Sequence, residues 1–121
     1  MVCLQGASAT EHTIHEFLGK PVRVFVVWEP VLPTDWASPS TAALNRISET
    51  RAAQFWDKGR LISHSMGEHD RRSIVWDTIA IYGIGAVWDD RPPEPLYQSG
   101  PVVWVAKQAR AALAHALQAK Q

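Results

Sequence analysis

The sequence predicts an α/β domain with a central mixed β-sheet flanked by helices, and three observations carry that expectation. Val22-Arg23-Val24-Phe25-Val26-Val27 is apolar at every position but Arg23, the pattern of a central strand covered on both faces. Ser73 to Tyr82 (SIVWDTIAIY) supplies a second core strand by composition. The segments around them carry helical spacing instead: Ala43, Leu44 and Ile47 in one, and Val105, Ala109, Ala112, Leu113, Ala116 and Leu117 in another. At 121 residues, with 46% hydrophobic and 20% charged residues, the chain reads as one ordinary soluble domain with a single core.

Residues 1–21 read as an N-terminal arm and 22–121 as the α/β domain. In the arm, Thr10 is placed to cap a short helix carrying Ile14, Phe17 and Leu18, which Gly19 and Lys20-Pro21 stop. Strand one must end near Trp28 or Glu29, because Pro30 and Pro33 cannot donate to a ladder. Ser38 stands as an N-cap with Pro39 at the first helical position, and the helix ends by Glu49 or Thr50. Ala53 to Trp56 is a second strand, and Asp57 both closes it and caps a helix holding Leu61, Ile62, Ser65 and Met66, with Gly67 at its end.

A helix between the first two strands makes them a parallel pair. Residues 22–27, 53–56 and 74–82 are then expected in one sheet. Gly83-Ile84-Gly85 gives a turn from which Ala86-Val87-Trp88 returns as a hairpin arm. Asp89 to Pro95 (DDRPPEP) is a rigid exposed loop, and Leu96-Tyr97-Gln98 a short edge strand. Ser99-Gly100-Pro101 opens a terminal helix reaching to about Ala119, with Val102-Val103-Trp104 either finishing a strand or beginning that helix.

Charge and cysteine usage exclude several functions. Twelve basic residues balance twelve acidic ones, so no global field steers nucleic acid or anionic lipid, and Asp70 blunts the local pair Arg71-Arg72. Cys3 is the only cysteine, which rules out an intramolecular disulfide and a cysteine-based zinc site. No basic leader and no run of roughly 20 apolar residues is present, so no membrane role and a reducing cytoplasm are expected.

No metal and no cofactor is expected either. His64 and His69 miss the one-turn spacing of two ligands on a helix face, His12 and His15 fall in the arm, and His115 lies among alanines. Ser63, Ser65 and Ser73 lack a G-x-S-x-G context, and Gly83-x-Gly85 has neither a third glycine nor a following helix.

The order strand, helix, strand, helix, strand, strand, helix resembles the core of the thioredoxin-like fold. The segments WEPVLPTDW, QFWD and WDxxxxYxxGAxW, spread over residues 22 to 119, are similar to those of redoxin-like bacterial proteins without an assigned activity. The resemblance implies an active-site loop at Trp28 to Trp36, leading into the first long helix. Redoxins place a cysteine there, where the helix N-terminus stabilises a thiolate. Here the loop reads Glu29-Pro30-Val31-Leu32-Pro33-Thr34-Asp35, without sulfur, and Arg71-Arg72-Ser73 stands where the family has a cis-proline. Thiol chemistry is therefore excluded at that loop.

The candidate ligand-binding residues are Trp28, Glu29, Asp35 and Trp36 on the loop, with Arg71 and Arg72 approaching from the turn before the third strand. The tryptophans offer stacking surface. The two carboxylates accept hydrogen bonds and, with divided pKa values, run acid–base chemistry. The plainer alternative has Asp35 capping a turn, Glu29 in solvent and the tryptophans covering the core. Asp77, inside an apolar run, needs a partner, and Arg23 on the neighbouring strand is the obvious one unless the strand starts only at Thr78. The chain is expected to be a non-redox binding or protein-interaction module, its partner a small molecule or a protein. A small-molecule enzyme using the loop carboxylates is the alternative. A homodimer through exposed tryptophans such as Trp88 and the Asp89–Pro95 loop is a third reading.

Overall fold

The computed structural model of the chain describes residues 2–30, 37–67 and 77–119. In order it contains α1 (Val2–Glu16), β1 (Val24–Trp28), α2 (Thr41–Leu44), β2 (Ala52–Trp56), α3 (Leu61–Ser65), β3 (Ile79–Ile81), β4 (Tyr97–Ser99) and α4 (Val102–Ala119). The chain is α/β, as its patterning demands.

β1 and β2 pair in parallel, with Phe25 opposite Ala53 and Val27 opposite Phe55. β3 and β4 form a separate antiparallel pair, Ile79 opposite Ser99 and Ile81 opposite Tyr97. The single central sheet expected from the sequence is thus replaced, among the described residues, by two small sheets. Asp77 takes the left-handed conformation at φ 45°, and among the described residues the extended run begins at Ile79. Residues 68–76, which hold the first part of the expected third strand, lie outside the described residues.

α1 is longer than the short helix behind Thr10, because Ala7 and Ile14 are buried on a face that packs along α4. Gly6 permits the approach: a Cβ there would lie 3.1 Å from the Val102 Cβ and 3.2 Å from the Asp77 Oδ1. Glu16 pairs with Arg110 across the two helices. Arg51, just before β2, fastens the other end of α1 by donating to the carbonyls of Ile14 (3.1 Å), Phe17 (2.9 Å) and Lys20 (3.0 Å) while its Nε meets Glu49 at 2.8 Å. Each of these carbonyls already closes a turn on a backbone amide (Phe17, Lys20 and Val22), and Arg51 adds a second, charged donor beside the C-terminus of α1, where a cation belongs. Glu11 answers from α1 by accepting from the Ser48 amide and hydroxyl, each at 3.1 Å.

α2 is capped by Ser40, whose hydroxyl accepts from the Ala43 amide at 3.1 Å, and not by Ser38. Its helical turns stop well before Glu49, and Ile47 is the buried residue of the segment. Ala86 to Trp88 do not return as a strand; Val87 is exposed and the Ala86 amide only closes a turn on Gly83. Val102 begins α4 and is buried, so the Val102–Trp104 stretch belongs to the helix.

Asp77 pairs with α4 and not with Arg23. Its Oδ1 accepts the Val102 amide at 3.0 Å, satisfying a free donor of the first turn. The chain crosses itself closely here: a Cβ on Gly100 would fall 2.2 Å from the Asp77 carbonyl oxygen.

Candidate functional site

Two parallel strands of matched register end side by side, and each is followed by a carboxylate. β1 ends at Trp28 and β2 at Trp56, which are register partners, so Glu29 and Asp57 come next to each other at the carboxyl end of the pair. The ladder continues one step, with the Asp57 amide donating to the Trp28 carbonyl at 2.8 Å. Crevices beyond the carboxyl ends of parallel strands are the usual ligand position in α/β folds.

The short helix α3 closes this end. The Asp57 Oδ2 accepts from the Ile62 amide at 2.8 Å. The Glu29 Oε2 accepts from the Ser63 amide at 3.2 Å, and its Oε1 takes the Ser63 hydroxyl in a very short hydrogen bond. Ser63 is only 1% exposed, so its hydroxyl is held inside the structure as a donor to Glu29. Both carboxylates therefore occupy the amide donors that open α3, which Arg60 at φ 52° leaves without a side-chain cap of its own.

Two carboxyl groups sharing a hydrogen bond cannot both ionise at their ordinary values. Burial, and then the hydrogen bond with Asp57, push the Glu29 carboxyl from 4.5 up to about 7, although the Ser63 hydroxyl and amide pull the other way. Burial also acts to raise Asp57. The shared hydrogen bond with Glu29 and the amides of Ile62 and Leu61 outweigh it and leave Asp57 below its ordinary 3.8. Near pH 7 Glu29 exchanges its proton while Asp57 stays ionised, so the two carboxyls have divided proton affinities, the division that acid–base chemistry requires.

Behind the pair, the inner face of the sheet is fixed by Gln54. It accepts the Trp28 indole N–H at 2.9 Å and donates to the carbonyls of Leu44 (2.9 Å) and Ile47 (3.1 Å). Trp28 therefore braces the sheet against the segment after α2. The outer face differs. Phe25 is 62% and Phe55 52% exposed, their rings tilted at a centroid distance of 6.3 Å.

Of the six candidate residues, Trp28 and Glu29 stand at the end of β1, and Glu29 faces Asp57 and Ser63. Asp35, Trp36, Arg71 and Arg72 lie outside the described residues. From the sequence, Asp57 closes β2 and caps the next helix, and Ser63 lacks a nucleophile motif; the structure sets both against Glu29. A signal was there in the repeated pair Trp28-Glu29 and Trp56-Asp57: two strands ending in tryptophan and carboxylate, which parallel pairing brings together.

A shallow cleft of about 190 Å³ lies elsewhere, between Ser65 and Met66, Tyr82, the Pro92–Pro95 segment and Gln98. Burial raises the Tyr82 hydroxyl above its ordinary value. Among the described residues no group of three histidine, cysteine or carboxylate side chains converges as a metal site. No helix among them is long and apolar enough to cross a membrane. No protein-family model, no curated protein and no solved structure matches the chain.

Proposed function

We propose that the chain is a non-redox binding or protein-interaction domain, thioredoxin-like in its β1–α2–β2 order, that docks partners on the outer face of the β1–β2 pair. One observation carries this reading. A parallel sheet normally has both faces covered, yet here one face is held by Gln54 and Ile47 while the other presents Phe25 and Phe55 to solvent. The lone cysteine, Cys3, leaves no pair for dithiol exchange. Selection of a displayed peptide library on the folded chain tests the reading. Peptides enriched on the natural sequence and lost on a Phe25→Ser/Phe55→Ser variant of unchanged circular dichroism are expected. Enrichment that ignores the double substitution would place docking elsewhere.

A second reading has its own observation. Glu29, held near neutrality beside Asp57, is matched to proton transfer at physiological pH. On this reading the end of β1 and β2 is a small-molecule enzyme site, with Glu29 as the acid or base and Asp57 setting its proton affinity. Carbon-13 titration of the two carboxyls, together with hydrolysis of chromogenic esters, tests it. Turnover following the Glu29 titration and lost in Glu29→Gln supports the enzyme, and turnover indifferent to that variant refutes it.

A further inference from the structure

We propose that α3 is a proton-operated flap, docked on the ends of β1 and β2 while Glu29 and Asp57 share a proton and released when that proton leaves. The flap needs neither turnover nor a docked partner, so it stands apart from both readings above.

Polar anchors, and not apolar burial, hold α3 in place. Its one buried residue is Ser63, and Leu61 is 69% exposed. Among the described residues the helix is fastened to the strand ends by the Ile62 amide on Asp57 and by the Ser63 amide and hydroxyl on Glu29. Donors on two successive residues thus hang on two separate carboxyl groups. A segment with few buried apolar contacts opens locally at low cost.

Both ends of α3 carry a hinge. Arg60, just before the helix, has φ 52°, and Gly67, just after its cap Met66, has φ 111°. A Cβ on Gly67 would meet nothing within 4 Å, so that end has room to turn. A few element-terminal residues that absorb a backbone change are what a hinged segment requires.

The carboxyl pair supplies the trigger. β1 and β2 contain no charged residue, and no ion pair joins Glu29 or Asp57 among the described residues. With the proton present, the hydrogen bond between Glu29 and Asp57 draws both anchors together. Without it two carboxylates face each other, and Ile62 and Ser63 are tied to anchors that repel. Burial and the contact with Asp57 hold the Glu29 proton up to about 7 in the docked state. Opening restores the ordinary 4.5, so it grows easier as pH rises between those values and levels off above them. The other charged or titratable groups on α3 and the turn into it are Lys58, Arg60 and His64, and His64 acts on Asp57 through its charge. The far end of α3 brings Ser65 and Met66 into the cleft beside Tyr82, Glu94 and Gln98, so release of the helix moves one wall of that cleft.

Amide hydrogen exchange on the full chain between pH 5 and 8, corrected for the intrinsic rate, tests the proposal. Protection of the Ile62 and Ser63 amides should fall about fivefold over that range, after allowance for solvent screening of Glu29. It should not change with urea below the unfolding transition, as a local opening requires. Glu29→Gln keeps an acceptor for Ser63 and donates an amide N–H to Asp57, the arrangement of the protonated pair, so protection should stay level with pH. Asp57→Asn keeps the acceptor for Ile62, donates to Glu29 and should level it as well. His64→Gln should leave the fall in place. Equal protection at pH 5 and 8 in the natural chain overturns the proposal. So does a fall that persists in either folded carboxyl variant, or one that His64→Gln abolishes. Protection of Ile62 and Ser63 that drops with urea in step with the α4 amides also overturns it, because the helix then opens only with the whole chain.

Discussion

The chain contains two small sheets that differ in what stands behind and in front of them. β3 and β4 are three residues each, antiparallel, and backed by α4, with Asp77 and Gly100 locking strand entry and exit against the helix start. β1 and β2 are five residues each, parallel, anchored behind by Gln54 and bare in front at Phe25 and Phe55. The first sheet is finished within the chain. The second ends in two carboxylates competing for one proton and turns an aromatic face outward. A pair of strands becomes structural when a helix covers it, and it is left available for recognition when none does.

The sharpest way to break this contrast is at the closed end. Gly100→Ala places a methyl within 2.2 Å of the Asp77 carbonyl oxygen, a backbone atom that cannot swing aside. The expected loss is about 3 kcal/mol of unfolding free energy by urea denaturation. A loss of only a few tenths would mean that β3, β4 and α4 are not locked as described.

The next largest effect falls on the inner face of the parallel sheet. Gln54→Leu removes the acceptor of the Trp28 indole N–H and the side-chain donor to the Ile47 carbonyl, and leaves the Leu44 carbonyl with the Ile47 amide alone. About 2 kcal/mol should be lost. The Trp28 indole resonance should move more than that of Trp104. If Trp28 stays still, Gln54 is not the anchor of β1.

Asp77→Ala removes the acceptor for the Val102 amide and should cost about 1 kcal/mol. Asp77→Asn should cost less than half of that, because asparagine keeps an acceptor and tolerates the left-handed backbone. Equal losses in the two variants would point to the charge of Asp77 and away from its cap.

The smallest effect is the pH dependence of the open end. Glu29 binds its proton more tightly in the folded chain, at about 7 against 4.5, so the folded state holds more protons than the unfolded one in between. Stability from this group is full below about 4.5 and falls as pH rises through 7. Asp57 acts oppositely: its stabilisation is present above its ordinary 3.8 and is lost as pH falls through its lower folded value. The carboxyl of Glu29 is partly open to solvent, so after allowance for screening the slope amounts to on the order of 1 kcal/mol. Melting curves should fall between pH 5 and 8 in the natural chain and stay level over that range in Glu29→Gln. A parallel fall in both would show that the proton sits elsewhere.

The sequence by itself determined the parts whose cause is local. Alternating or continuous apolar runs placed β1 and β2 and made them parallel, because a helix between two strands reverses the chain once. The apolar spacing of Val105, Ala109, Ala112, Leu113, Ala116 and Leu117 placed α4, and Pro30 ended the first strand. Tertiary structure decided what depends on partners far away in the chain. α1 runs from Val2 because α4 is there to cover Ala7 and Ile14, which a reading of residues 1–21 alone cannot supply. Asp77 accepts the Val102 amide at a helix start twenty-five residues later, a partner that no local pattern around it names. Glu29 found Asp57 and not a neighbour in its own loop among the described residues, because parallel register sets strand ends side by side however far apart they are in sequence. Local patterns record which face a residue prefers, and only the packed chain decides what meets it there.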